Sequence, residues 1–151
     1  MRVVGIDLGE RRVGVAVSDS DGTLASPYVV IERSGDAGRD HAEIARIVTE
    51  VGASTVVVGL PISLDGTVGP AAKAARTEAD LLAGALGVPV ETHDERLTSV
   101  SAGRSLARSG LRRGARREAR RTSVDKVAAA IMLQSWLDSH VQRGSPRTPD
   151  G

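Results

Sequence analysis

Cysteine and phenylalanine are absent from this 151-residue chain, and Tyr28 and Trp136 are its only Tyr and Trp. The lack of cysteine excludes disulfides, thiolate nucleophiles and Cys-based zinc sites. The scarcity of aromatics leaves the core to Val, Ile, Leu and Ala, and leaves little with which to stack the bases of a single strand. No apolar run approaches the length that spans a bilayer, and no secretory leader is recognisable, so a cytoplasmic protein with no membrane partner is expected. Histidine occurs only at 41, 93 and 140. None has metal-ligand spacing, and 41 and 140 read as exposed helical positions.

What is present suits one folded unit. Hydrophobic residues make up 40% and charged residues 26%, a globular composition. A single domain over 1–140 with a loose polar tail over 141–151 is expected. The formal net charge of +1 conceals an asymmetry. The stretch "RSLARSGLRRGARREARR" (104–121) holds eight arginines against Glu118 alone, so it carries +7 and the rest of the chain −6. A compact cationic segment on a mildly acidic body points to a polyanion partner. Arg112, Arg113, Arg116, Arg117, Arg120 and Arg121 are the candidates to hold phosphates, by backbone and shape rather than by base stacking.

Residues 2–7 and 12–18 are β-branched runs around the turn "LGER" and predict a hairpin. "TLASPYVVIER" (23–33) predicts a third strand, with Pro27 favouring an edge. Ile44, Ile47, Val48 and Val51 recur at helical spacing, giving a helix from about Asp40 to Val51 that stops at Gly52. "STVVVGLP" (54–61) is apolar throughout, as for a strand buried on both faces. A helix from Pro70 to Leu86 is bracketed by Pro at its first position and Gly87 beyond its end. "VPVETHDER" (88–96) predicts a fifth strand. A short helix over 99–108 and a last helix over 123–139 complete the order, which implies a mixed sheet: a three-stranded meander plus βα units, with helices on its faces.

Asp7 ends an apolar run, where an ionised carboxylate needs a turn hydrogen bond, an arginine or a metal ion to offset desolvation. If strands one, four and five are parallel, Asp7, Asp94 and Glu95 reach one rim, the place where open α/β sheets bind ligands. Asp125, in the first turn of the last helix, would join them. Clustered carboxylates resist joint ionisation without a cation, and Mg²⁺ or Mn²⁺ favours such oxygen ligands. Singly, each acid has a plainer reading: Asp7 bracing a turn, Asp94 and Glu95 paired with Arg96, and Asp125 part of a capping box from Thr122. Gly59, Gly66 and Gly69 either make turns or aim backbone N–H groups at a phosphate. The loop carries no Walker motif.

Four ordered blocks, "GIDLGERRVGVAVSD" (5–19), "VVGLPISLDGTVG" (57–69), "HDERLTSVSA" (93–102) and "VDKVAAAIMLQSWLD" (124–138), resemble the signature blocks of the YqgF/RuvX family. The resemblance spans residues 1 to about 139. It implies an α/β, ribonuclease H-like fold, a mixed five-stranded sheet flanked by helices. It implies Asp7, Glu95 and Asp125 as catalytic, metal-holding acids, with Arg12 and Asp19 matching the first block and Gly59 and Pro61 the strand-four loop. The activity implied is a metal-dependent endonuclease acting on structured nucleic acid. The substrate is either the 16S rRNA precursor, or a four-way DNA junction, which requires a homodimer rather than a monomer. Ser63 stands where the family often has asparagine, and the second acid comes from strand five rather than strand four. A non-catalytic nucleic-acid-binding factor, and more remotely an actin-like kinase suggested by "IDLG", are the rival classes.

Overall fold

The computed structural model describes residues 1–61, 68–94 and 117–144, excepting the side chains of 117–126 and 141–144. Five strands, β1 (Arg2–Leu8), β2 (Arg12–Ser18), β3 (Ala25–Glu32), β4 (Ala53–Leu60) and β5 (Val90–Asp94), form one sheet of order β3-β2-β1-β4-β5. β1, β2 and β3 are an antiparallel meander, and β1, β4 and β5 are parallel. This is the mixed sheet expected from the sequence. β3 is an edge strand, and its register shifts between Val15 and Ala16, where Ala16 faces Pro27. Proline offers no N–H to a ladder, so an edge bulge accommodates it.

Among the described residues three helices cover the sheet: α1 (Ala37–Val51), α2 (Pro70–Leu86) and α3 (Arg117–Gly144). On one face Val4, Ile6, Val13, Val15, Val56 and Val58 pack with Ile44, Ile47 and Val48 of α1 and Ala79 and Leu82 of α2. On the other, Val3, Ala16 and Val57 pack with Ala129, Met132, Leu133, Trp136 and Leu137 of α3. Strand alternation therefore divides β1 cleanly, even positions toward α1 and α2 and odd ones toward α3.

α1 begins three residues before the spacing suggested. Asp36 caps it, accepting from the Arg39 N–H at 3.3 Å, and Gly52 ends it in the left-handed conformation at φ 69°. α2 has the limits read from its proline and glycine brackets. α3 departs most from expectation, since it starts at Arg117 rather than near residue 123 and runs to Gly144. Its opening residues, "REARR", are good helix formers with no breaker among them, so Thr122 and Ser123 lie inside a helix instead of capping one. The expected helix over 99–108 and residues 145–151 of the expected tail lie outside the described residues, whereas 141–144 belong to α3.

Candidate active site

β1 carries Val3, Val4, Gly5 and Ile6 fully into the core before its last two residues emerge. Asp7, half-buried, pairs with Gly14 of β2. The turn beyond is closed by the Gly9 N–H, which donates to the Arg12 carbonyl at 2.9 Å. A Cβ at residue 9 would stand 2.7 Å from that same oxygen, so only glycine fits. Gly9 is thus a structural necessity of the hairpin turn that begins just past Asp7.

The parallel registers Ile6↔Val58 and Val58↔Thr92 place Asp7, Gly59 and His93 one step further along β1, β4 and β5. All three belong to the α3 face by alternation. His93 shows this directly, for its Nε2 is 3.1 Å from the Ser135 hydroxyl of α3. Gly59 contributes no side chain of its own between Asp7 and His93, which are roughly 10 Å apart at two strand spacings. Asp94 pairs with Leu60 and alternates to the opposite face, the one that holds Val88 and Val90. The parallel rim expected from the sequence exists, but Asp94 does not share the side of Asp7.

α3 supplies the third part. A Cβ on Gly5 would meet the Leu133 Cβ at 2.8 Å and the Ala129 carbonyl at 3.4 Å, so this helix lies directly on the β1 backbone. Asp125 is one turn N-terminal to Ala129 on the same i, i+4 row. It occupies the third turn of α3, not the first. The helix-dipole and capping-box readings of Asp125 therefore fall, because eight helical residues precede it. Arg117 and Arg121 extend that row toward the helix N-terminus, with Arg120 adjacent. Glu95, Arg112, Arg113, Arg116 and Gly66 lie outside the described residues, and Pro61 is exposed at the end of β4.

Electrostatics sort the remaining candidates. Arg12 Nε lies 3.2 Å from Glu32 Oε2 across β2 and β3, at the Asp7 end of the hairpin. Asp19 is at the other end of β2 and accepts from the Thr23 N–H at 2.8 Å, the Thr23 hydroxyl at 2.9 Å and the Leu24 N–H at 3.2 Å. Those backbone donors hold its carboxyl below the ordinary value, and its role is to shape the β2–β3 turn. Burial holds the His93 imidazole below its ordinary value, with Asp94 opposing and His140 assisting the shift.

Two expectations about histidine fail. His41 is buried, with Nε2 2.7 Å from Glu78 Oε2 of α2. Its spacing with Ile44 and Val48 puts it on the apolar stripe of α1, a signal the sequence contained. His140 is half-buried, stacked on Trp136 with ring centroids 3.7 Å apart and its Nδ1 3.0 Å from the Trp136 carbonyl. Arg33 and Glu78, which no sequence motif singles out, form a bidentate pair at 3.0 Å beside the β1–β2 turn.

Among the described residues no group of three or more His, Cys, Asp or Glu side chains could hold a metal ion. Of the three acids expected to do so, only Asp7 has its side chain described. The donor chemistry nonetheless fits a hard divalent cation: a carboxylate at the rim, a second on the overlying helix, and no thiolate in the chain. No helix among the described residues is long and apolar enough to cross a membrane.

A mixed sheet of this order, with an acid ending its central strand beneath a long helix, is the layout of a ribonuclease H-like nuclease. The chain belongs to the RuvX family, whose model, described as a Holliday junction resolvase, matches residues 1–139. Curated relatives carry the name "Putative pre-16S rRNA nuclease". One from Chloroflexus aurantiacus is 44% identical over 95% of this chain and 90% of its own. One from Mycobacterium sp. is 48% identical over 91% and 79%, and one from Myxococcus xanthus 43% over 99% and 96%. Among solved structures, Thermus thermophilus RuvC in complex with a Holliday junction substrate aligns at a TM-score of 0.60 with 19% identity, over 94% of this chain and 96% of that one. At that identity the likeness establishes the fold alone. The protein is a phosphodiester-hydrolysing nuclease, and its family and fold imply a divalent metal ion and a nucleic-acid substrate.

Proposed function

We propose that this chain is a cytoplasmic endonuclease that trims the 5′ end of the 16S rRNA precursor, with Asp7, Glu95 and Asp125 as its metal-holding acids. The observation that carries the reading is the placement of Asp7. It ends the central strand on the α3 face, beside Gly59, which contributes no side chain, and under the helix that includes Asp125. Asp94 alternates away from the α3 face, whereas Glu91 and His93 lie four and two residues before Glu95 in the sequence, which supports Glu95 over Asp94. When bound, Mg²⁺ or Mn²⁺ supplies charge compensation at the scissile phosphate and an activated water.

The chain's own groups do the remainder. Asp7, Glu95 and Asp125 would hold that ion at the rim. Arg117, Arg120 and Arg121 ride on the first two turns of α3, where the helix macrodipole disfavours cations and a polyanion relieves the conflict. With Arg112, Arg113 and Arg116 ahead of them they hold phosphates, and Arg12 adds a cation at the hairpin. Gly59, Pro61 and Gly66 are the candidate positions at which backbone N–H and loop atoms meet a phosphate. The curated relatives' name, at 43–48% identity over nearly the whole chain, supports rRNA over DNA.

The test offers a precursor-rRNA fragment, a four-way DNA junction and plain duplexes, with and without Mg²⁺ or Mn²⁺. Metal-dependent cleavage of the rRNA fragment that Asp7→Asn abolishes while binding persists is the expected result. Normal cutting by Asp7→Asn overturns the site. The family model's description favours junction resolution as the second reading. Symmetrical cleavage of the junction by a dimer, with the rRNA fragment intact, would establish it.

A further inference from the structure

Arg33, just beyond β3, holds the β1–β2 turn from two directions. Its backbone N–H donates to the Arg11 carbonyl at 2.9 Å, and its side-chain Nε donates to the Gly9 carbonyl at 2.8 Å. Its two terminal nitrogens are engaged elsewhere. Both terminal nitrogens donate to Glu78, one to each carboxylate oxygen, at 3.0 Å. Glu78 Oε2 is shared with His41 Nε2 at 2.7 Å. One carboxylate on α2 therefore joins α1, the end of β3 and the hairpin turn.

The three side chains are 21%, 17% and 9% exposed, for Arg33, Glu78 and His41 respectively. Ion pairs so far withdrawn from water add little net stability, since desolvation cancels most of the attraction, whereas removing one partner strands the others. Such an arrangement is better suited to fixing a geometry than to stabilising a core. What it fixes is specific. The Gly9 N–H is already bound to the Arg12 carbonyl, and Arg33 takes the other backbone polar group of that residue. Gly9 is two residues from Asp7 on a continuous strand end, and a groove of about 630 Å³ separates this turn from the start of α2. Without Arg33 nothing from β3 or α2 would bridge that groove to Gly9 among the contacts described.

We propose that Arg33, locked by Glu78 and through it by His41, is a positioning residue of the nuclease site: it anchors the Gly9 carbonyl and so the strand end that presents Asp7. The proposal deepens the reading of Asp7 given above and rests on it.

The experiment uses the full chain and the variants Arg33→Lys, Arg33→Ala, Glu78→Gln and Asp7→Asn, with three readouts. These are kcat and KM on the precursor-rRNA fragment, the heat of Mn²⁺ binding, and the amide resonances of Leu8, Gly9 and Glu10. Lysine keeps the charge but cannot bind Glu78 at two oxygens and Gly9 at once. Folded Arg33→Lys should lose about 10- to 100-fold in kcat, the scale of a misplaced reacting group, with KM nearly unchanged. Its Mn²⁺ affinity should fall and its Gly9 amide should shift. Glu78→Gln should move the same three quantities less. A fully folded Arg33→Lys with wild-type kcat, Mn²⁺ affinity and Gly9 resonance overturns the proposal. So does a variant that is merely less stable, with kcat per folded molecule intact. If Asp7→Asn itself cuts normally, the underlying site reading has failed, and a Gly9 shift in Arg33→Lys would then mark the clamp as structural only.

Discussion

Leu133 of α3 lies against the backbone of Gly5, so closely that a Cβ there would approach the Leu133 Cβ to 2.8 Å. Because Gly5 and Asp7 share a strand face, and Leu133, Ala129 and Asp125 share a helix row, this contact sets the spacing between the β1 and α3 backbones that carry the proposed acids. Neither atom involved belongs to a flexible side-chain tip, so a larger residue cannot be absorbed locally.

Gly5→Ala is accordingly expected to destabilise the chain by about 1–3 kcal/mol, the usual cost of overpacking a tight contact. Thermal melting should report a fall of several degrees. Cleavage by the folded fraction should also drop, because α3 must move away from β1. An unchanged melting temperature would contradict the contact.

Asp7→Asn removes a half-buried charge and should leave folding intact. If Asp7 holds the catalytic cation, cleavage falls about a thousandfold or more, corresponding to several kcal/mol of transition-state stabilisation. The calorimetric heat of Mn²⁺ binding should disappear with it. Retained metal uptake at wild-type strength would remove Asp7 from the site.

Acid should loosen the α1 face first. Asp40 is buried, and its carboxyl lies below its ordinary value of 3.8 because the Ser34 N–H and hydroxyl donate to it, with burial opposing and Arg33 assisting. Burial pushes Glu78 upward, but the hydrogen bonds from Arg33 and His41 outweigh it, and its carboxyl lies below the ordinary 4.5. For groups depressed in the folded state, the stabilisation is complete above the unfolded value and is lost as pH falls through the folded one. Melting temperature should therefore be level above about pH 5 and fall progressively below pH 4.5. Asp40→Asn or Glu78→Gln should melt lower at pH 7 and show a shallower acid slope.

Replacing Arg117, Arg120 and Arg121 together by glutamine should weaken nucleic-acid binding across all sequences alike. If each neutralises one phosphate, the slope of log K against log salt decreases by roughly 0.7–0.9 per arginine. Anisotropy titrations at several KCl concentrations measure it. An unchanged slope would free these residues of the role.

The elements that reading along the chain located are those whose cause is local. The alternation of β1 and β2, the apolar run of β4, the proline at an edge and the Pro70 and Gly87 brackets of α2 each depend on residues a few positions apart. Their order restricts the sheet to few topologies, and the parallel rim carrying Asp7 followed from it. The acids at 7, 95 and 125 were legible as candidates through the four sequence blocks, not through their individual surroundings.

Where local signals competed, the sequence alone could not choose. "TSVD" has the letters of a helix start, yet the arginine-rich residues ahead of it are helix formers, and α3 continues through them to Arg117. The side of the sheet taken by Asp94 required the register of β5 against β4. Arg33, Glu78 and His41 meet across separations of 45 and 37 residues, which no local pattern encodes. Sequence determined most of the segments that are strand or helix and nominated the residues proposed to carry the chemistry, because backbone preference and side-chain type are short-range properties. Only tertiary structure decided which charges meet, because pairing depends on the layers that bring distant segments within a few ångströms.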